Sequence, residues 1–223
     1  MKDILNIAHR GFHQYYPENT LESFKAALDL EVDGIEMDIQ ETADSKFVVF
    51  HDRALNGTSI ISLSLREING ILLQNAYEIP TLEQALDICG YRTKLFIELK
   101  VVRSLNNLLK LLREKASIRQ DMLLSFNDRL LADVFSQCSD ISIALITACS
   151  TDNLVEKAIA VHCKAIAVLY TLINQDLMEK ANDSGLCVYV WGCPDIEAIN
   201  RLMRFKIEGF INDFPHIVKA HNK

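Results

Sequence analysis

A chain of 223 residues, 49% of them hydrophobic and 24% charged, is long enough to bury a large core and has the composition of an ordinary globular protein. Its formal net charge of −7 argues against a general binder of nucleic acid or anionic membranes, because such proteins need a basic surface. The six cysteines lack C-x-x-C spacing, and the sequence has no signal-peptide pattern and no apolar stretch near the ~20 residues of a transmembrane helix. These features predict reduced thiols, a cytoplasmic location and no transmembrane segment.

Short apolar runs rich in Ile, Val and Phe alternate with longer helical patterns, which is typical of βα units around a parallel sheet. Thr20 precedes a run with helical spacing of its apolar residues, and Thr81 begins a second run of the same design. Four glycines that follow helical segments are interpreted as left-handed residues just after helices: Gly34, Gly90, Gly185 and Gly209. The predicted strands are 5–8, 34–39, 47–50, 95–99, 122–126, 141–146, 165–169, 187–191 and 209–211.

If residues 47–50 extend the second strand region, the chain contains eight βα units, which predicts an α/β fold of the closed (β/α)₈ TIM barrel type. We expect a single domain over residues 1–223. An open doubly wound sheet is the main alternative, but no G-x-G-x-x-G follows the first strand. Residues 53–80 fit neither pattern and are interpreted as a small insertion after the second strand region, where barrel loops usually shape the active site.

Charged side chains interrupt two of the predicted strands. Glu36 and Asp38 alternate with apolar neighbours and therefore share the inner face of the barrel, and Glu98 and Lys100 do so on another strand. Three carboxylates form an all-oxygen site suited to one divalent cation, Ca²⁺ or Mg²⁺. The alternative is a buried ion-pair network in which Lys100 and Arg10 neutralise the acids.

Two histidines end predicted strands close to these acids. His9 and His51 are suited to acid–base catalysis near neutral pH, one accepting a proton and the other donating one. Arg10 is placed to grip a phosphate group, and Trp191 is either a wall of the substrate pocket or a core residue. The remaining histidines are interpreted as structural or surface residues: His13, His162, His216 and His221.

The order of these motifs resembles the glycerophosphodiester phosphodiesterase family over nearly the whole chain. The resemblance rests on seven segments, namely His9-Arg10-Gly11, Pro17-Glu18-Asn19-Thr20 with Leu21-Glu22-Ser23-Phe24, Glu36-Met37-Asp38, Thr42-Ala43-Asp44, His51-Asp52, Ile79-Pro80-Thr81-Leu82 and Ile97-Glu98-Leu99-Lys100.

The resemblance implies a (β/α)₈ barrel that uses a divalent cation to hydrolyse glycerophosphodiesters to glycerol 3-phosphate and an alcohol. It also implies roles for the residues: metal ligands Glu36, Asp38 and Glu98, general base His9, general acid His51, and phosphate contacts Arg10 and Lys100. The opposite order of the two histidine roles is an open alternative. In the implied mechanism a glycerol hydroxyl attacks phosphorus, and water then opens the cyclic phosphate. Direct attack by water is an open alternative.

Three departures from the family pattern concern the pocket rather than these residues. Gly57 stands where an arginine is common, Pro194 stands where an asparagine is usual, and Asn212-Asp213 replaces a Thr-Asp pair. The substrate is therefore expected to be a small glycerophosphodiester whose alcohol the sequence does not specify. A lysophospholipase D-like enzyme and a non-catalytic barrel that binds a phosphodiester are the alternative functions. The sequence does not predict an oligomeric state.

Overall fold

The computed structural model describes residues 4–72 and 78–221. Its strands are β1 (Leu5–Ala8), β2 (Gly34–Glu41), β3 (Phe47–Val49), β4 (Ala54–Leu55), β5 (Thr58–Ser59), β6 (Lys94–Val101), β7 (Met122–Ser125), β8 (Ser142–Thr147), β9 (Ala165–Leu169), β10 (Cys187–Trp191) and β11 (Gly209–Asn212). Its helices are α1 (Leu21–Asp29), α2 (Leu65–Leu72), α3 (Leu82–Cys89), α4 (Leu105–Lys115), α5 (Asp128–Gln137), α6 (Leu154–Ala160), α7 (Gln175–Asp183), α8 (Ile196–Leu202) and α9 (Pro215–His221).

Eight of the described strands close into a parallel barrel in the order β1, β2, β6, β7, β8, β9, β10 and β11, because β1 pairs in parallel with both β2 and β11. The closure confirms the predicted (β/α)₈ barrel and rules out an open doubly wound sheet. Predicted and observed strand bounds differ by at most two residues in this ring. Parallel strands that are covered on both faces are continuous apolar runs, which is why their bounds follow from the sequence.

The segment 47–50 differs from its prediction as an extension of the second strand. Residues 47–49 turn back through residues 42–46 and form β3, which pairs antiparallel with β2 in the register Ile39↔Val49. The chain then forms the β4–β5 hairpin, a 3₁₀ turn (Ile60–Ser62) and α2. The apolar side chains of this region pack into a small cluster of their own: Val48, Leu55, Ile60, Leu63, Ile68 and Ile79.

Thr20 and Thr81 cap α1 and α3 as their sequence context predicts. Each threonine oxygen accepts a hydrogen bond from the backbone N–H three residues later, from Ser23 and from Gln84. The side chain at that third position bonds back to the cap, so two free backbone donors are satisfied at each helix start.

The interpretation of the four glycines is correct only for Gly185, whose φ of +73° is left-handed. Gly34 and Gly209 instead lie inside strands, where a Cβ atom would be 2.7 Å from the Phe96 ring and 2.9 Å from Leu5. Gly90 caps α3 at a φ of −56°, and a Cβ there would collide with the Lys115 carbonyl oxygen. Close packing rather than a left-handed backbone requires these three glycines.

The barrel interior is filled by ten buried side chains from seven of the eight strands, Ile7, Phe96, Met122, Leu124, Ala144, Ile146, Ala165, Ala167, Tyr189 and Ile211. A second and larger apolar layer lies between strands and helices. On β2 the alternating positions Glu36 and Asp38 carry acids in place of aliphatic side chains. Charge is therefore concentrated at one end of the barrel, where active sites of this fold lie.

Asp121 lies at the opposite, amino-terminal end of the barrel strands, and its burial affects how the stability of the protein depends on pH. It is 1% exposed, its Oδ1 accepts a hydrogen bond from the Leu95 N–H at 2.9 Å, and burial raises its pKa to about 6. The folded protein therefore binds a proton more tightly than the unfolded chain, so this carboxyl group costs stability as pH rises from about 4 to above 6, by at most about 3 kcal/mol.

We expect Asp121→Asn to remove that cost while keeping the Oδ1 acceptor. Urea unfolding at pH 4, 5, 6 and 7 should show the variant gaining stability over the wild type as pH rises. Asp140→Asn, at a residue that is exposed, is the matched control and should show no such trend. A constant difference across this pH range would contradict the prediction.

Candidate active site

The three candidate metal ligands meet at the carboxyl end of the barrel. Glu36 and Asp38 lie on β2, and Asp38 pairs with Glu98 of β6 in the strand register. One carboxylate oxygen from each of the three lies within 4.8 Å of the others. Strand alternation brings the first two to the inner face, and pairing of β2 with β6 adds the third.

Two cations lie against these acids. Lys100 Nζ is 3.0 Å from Glu98 Oε1 and 3.2 Å from Asp38 Oδ1, and Arg10 Nε is 3.2 Å from Asp38 Oδ2. The remainder of the Arg10 guanidinium turns away, with Nη1 2.8 Å from both carboxylate oxygens of Glu18. Lys100 and Arg10 thus contact the acids, as an ion-pair network requires, while both also line the pocket.

The charges of this cluster do not balance. Burial would raise the pKa of Asp38, but Lys100 and Arg10 hold it below its usual range. Burial, reinforced by the neighbouring carboxylates, raises the pKa of Glu36 well above its usual value and also raises that of Glu98. Three acids face two cations, and Arg10 is also shared with Glu18, so the fully ionised cluster carries excess negative charge. A hard divalent cation with oxygen ligands fits this donor set.

Asn19 holds Asp38 in place through two hydrogen bonds. Its Nδ2 donates to Asp38 Oδ2 at 2.9 Å, and its Oδ1 accepts from the Asp38 backbone N–H at 3.2 Å. Asn19 is 3% exposed and has a φ of +56°, a conformation that asparagine tolerates better than most residues. Asn19 belongs to the Pro17-Glu18-Asn19-Thr20 motif, but its contact with Asp38 arises only in the tertiary structure.

The two predicted catalytic histidines lie beside the acids, and each contacts a different aspartate. His9 Nδ1 lies 2.7 Å from Asp213 Oδ1, and its Nε2 lies 3.9 Å from Glu36 Oε2. His51 Nδ1 lies 2.9 Å from Oδ1 of its neighbour Asp52, whose side chain is 73% exposed. Both histidines line the same pocket.

His13, interpreted from the sequence as a structural or surface residue, and Asp213 lie beside the site. His13 Nε2 is 3.1 Å from Asp213 Oδ1, the oxygen that also contacts His9. The hydrogen bond to Asp213 raises the pKa of His13 despite its partial burial. Asp213 directly follows β11, so its position at a strand end was the available signal.

Trp191 lines the pocket and packs against the barrel interior, so the structure gives it both of the predicted surroundings. Its ring meets the half-exposed Phe126 ring edge to face, with centroids 6.3 Å apart. Four aliphatic side chains continue this wall, Leu124, Ile146, Ala167 and Ile211. The pocket therefore has a charged side and an apolar side.

No helix in the described part of the chain is long and apolar enough to cross a membrane.

A parallel (β/α)₈ barrel with acids, cations and histidines at its carboxyl end defines a class of enzymes that handle charged substrates, including phosphate esters. The family model described as the glycerophosphoryl diester phosphodiesterase family matches residues 9–217, and the chain belongs to this family. Family membership confirms the predicted resemblance and the predicted enzyme class, a phosphoric diester hydrolase.

A relative of similar sequence agrees with this assignment, and two solved structures share the fold. A glycerophosphodiester phosphodiesterase of Caldanaerobacter subterraneus is 30% identical, over 95% of this chain and 94% of its own. The crystal structure of a glycerophosphodiester phosphodiesterase from Parabacteroides distasonis superposes with a TM-score of 0.86 at 20% identity, covering 99% and 97% of the two chains. A phosphodiesterase of Oleispira antarctica, solved with the product sn-glycerol-3-phosphate, has a TM-score of 0.86 at 20% identity, covering 96% and 94%. At such identities the two structures show the fold.

Proposed function

We propose that this protein hydrolyses small glycerophosphodiesters to glycerol 3-phosphate and an alcohol, with one divalent cation held by Glu36, Asp38 and Glu98. The observation that carries the proposal is the convergence of these acids with two cations and two histidines, all of which line one pocket except the buried Asp38 behind Glu36 and Glu98. The product in the Oleispira antarctica structure supports glycerol 3-phosphate as the product class. Ca²⁺ and Mg²⁺ are both compatible with an all-carboxylate donor set.

The residues divide the work by their surroundings. His9 Nε2 faces the acid cluster and accepts the proton of the attacking hydroxyl, and His51 protonates the departing alcohol. Lys100 and Arg10 hold phosphate oxygens against the negative field of the carboxylates. The attacking hydroxyl belongs either to the glycerol, with later opening of a cyclic phosphate by water, or to water directly. When bound, the divalent cation supplies positive charge that favours loss of the hydroxyl proton and offsets charge on phosphorus.

The apolar side of the pocket favours a second candidate, a lysophospholipase D-like reaction on a substrate with one acyl chain. Trp191, Phe126 and their aliphatic neighbours could contact such a chain where it leaves the phosphate. This apolar wall belongs to the carboxyl ends of β7 to β11.

The remaining parts of the proposal concern the whole chain. We infer one barrel domain with residues 53–80 as an insertion, of which residues 73–77 lie outside the described part of the chain. We also infer a cytoplasmic location and a small-molecule substrate rather than a nucleic acid. The ring of eight paired strands supports the single barrel, the net charge of −7 supports a substrate other than nucleic acid, and the absence of C-x-x-C spacing supports reduced thiols and hence the location.

A hydrolysis panel tests the function directly. Purified protein is incubated with glycerophosphocholine, glycerophosphoethanolamine, glycerophosphoglycerol and lysophosphatidylcholine, each with chelator, Ca²⁺ or Mg²⁺. We expect glycerol 3-phosphate from at least one of the first three, and a loss of at least about 100-fold in rate with chelator. Preferential release of choline from lysophosphatidylcholine would favour the second candidate. If no substrate is hydrolysed with either cation, the remaining candidate function is a non-catalytic barrel that binds a phosphodiester.

A further inference from the structure

We propose that Asp213 is the positioning residue of His9, and that His13 holds Asp213 in place. This inference rests on the proposed function, in which His9 accepts a proton. It adds two residues to the site, Asp213 from the end of β11 and His13 from the loop after β1. It also explains which ring nitrogen of His9 faces the substrate.

The geometry fixes the tautomer of His9. Asp213 Oδ1 lies 2.7 Å from His9 Nδ1 and 3.1 Å from His13 Nε2. An ionised carboxylate only accepts hydrogen bonds, so both facing ring nitrogens must carry a hydrogen. Neutral His9 then has its lone pair on Nε2, the atom that lies 3.9 Å from Glu36 Oε2 and faces the acid cluster.

Asp213 stays ionised in this arrangement. Its partial burial would raise its pKa, but the hydrogen bonds from His13 and His9 lower the pKa well below its usual range. It therefore remains a hydrogen-bond acceptor near neutral pH, and His9 keeps its Nδ1 hydrogen.

Barrel closure brings His9 and Asp213 together. His9 and Asp213 are 204 residues apart in sequence, but β1 pairs with β11 in the register Ala8↔Asn212, and the His9 N–H donates to the Asn212 carbonyl at 3.0 Å. Asn212 itself is 1% exposed and bonds to Asn6 through its side chain. The backbone pairing of β1 with β11 therefore places His9 and Asp213 next to each other independently of the contact between their side chains.

The other histidine lacks equivalent support. Asp52, which contacts His51, is its sequence neighbour and is 73% exposed, whereas the Asp213 side chain is 40% exposed and is bound by two rings. Water screens the Asp52 contact more strongly. The difference predicts that an amide is tolerated better at position 52 than at position 213.

Asp213→Asn, His13→Ala and Asp52→Asn test the proposal in the full chain with its cation. We expect Asp213→Asn to lower kcat about 10- to 100-fold with KM changed less than about threefold, because orientation is lost and binding is not. His13→Ala should lower kcat about 3- to 10-fold, and Asp52→Asn less than Asp213→Asn. Asp195→Asn, which keeps the cap of α8, is the inert control and should match the wild type.

The ¹⁵N chemical shifts of the His9 ring report its tautomer directly. The wild type should carry hydrogen on Nδ1, and Asp213→Asn should shift the population toward hydrogen on Nε2. Wild-type kcat with an unchanged tautomer in Asp213→Asn overturns the proposal, as does a larger loss in His13→Ala than in Asp213→Asn. If the wild type hydrolyses nothing, the proposed function fails, and the tautomer measurement still decides whether Asp213 positions His9.

Discussion

His9→Ala should lower the hydrolysis of an unactivated glycerophosphodiester about 10²- to 10⁴-fold and leave the fold intact. The size follows from the usual contribution of a positioned acid or base. His51→Ala should cause a loss of similar size on the same substrate. The two variants are distinguished by the leaving group, because a good leaving group departs without a proton and so does not need a general acid.

The measurement compares glycerophosphocholine with the p-nitrophenyl ester of glycerol 3-phosphate. On the activated ester His51→Ala should recover to within about tenfold of the wild type, whereas His9→Ala should remain as impaired as before. The reverse pattern would exchange the two roles. His162→Asn is the histidine control, since His162 precedes β9 at the other end of the barrel, stacks on Phe135 and has a φ of +62° that asparagine tolerates.

Glu36→Gln should have opposite effects on stability with and without a divalent cation. In chelator, glutamine reproduces the protonated acid that burial and the neighbouring carboxylates favour, and its Oε1 can still accept the Arg10 N–H that Glu36 accepts at 3.0 Å. We expect the apparent Tm to rise by about 2–4 °C, the shift that ~1 kcal/mol produces in a domain of this size. With cation present, the variant should lose at least about tenfold in metal affinity and at least about 100-fold in kcat/KM.

Thermal unfolding with Ca²⁺, Mg²⁺ or chelator measures both effects, because a ligand that binds only the folded state raises Tm. Glu41→Gln is the matched control on the same strand. Burial would raise the pKa of Glu41, but hydrogen bonds from Ser104 and the Arg103 N–H lower it, so this acid is already satisfied. Its variant should lose stability in chelator and keep the full increase in Tm with cation. An equal cation response in wild type and Glu36→Gln would contradict the assignment of Glu36 as a ligand.

The strands and the inward acids could be predicted because both depend on local sequence. A parallel strand buried on two faces is a continuous apolar run, and strict alternation places Glu36 and Asp38 on the same face whatever the rest of the chain does. The eight-unit count further predicted that Glu98 and Lys100 would reach the same end of the barrel. Local alternation together with the order of strands was therefore enough to assemble the charged cluster.

The supporting contacts could not be predicted because they depend on geometry that no single segment encodes. Residues 47–50 by themselves match an extension of the second strand, but the chain turns back and residues 47–49 form the antiparallel strand β3. Arg10 itself is left-handed, with a φ of +54° that the sequence pattern does not indicate, and its side chain turns toward Glu18.

The sequence by itself determined the barrel, the acids and histidines at its carboxyl end, and the family. Only the tertiary structure decided how those groups are held: three carboxylates against two cations, Asn19 on Asp38, and Asp213 between His9 and His13. The physical reason is that side-chain alternation acts over two residues, whereas the contact of β1 with β11 joins the two ends of the chain and exists only once the barrel has closed.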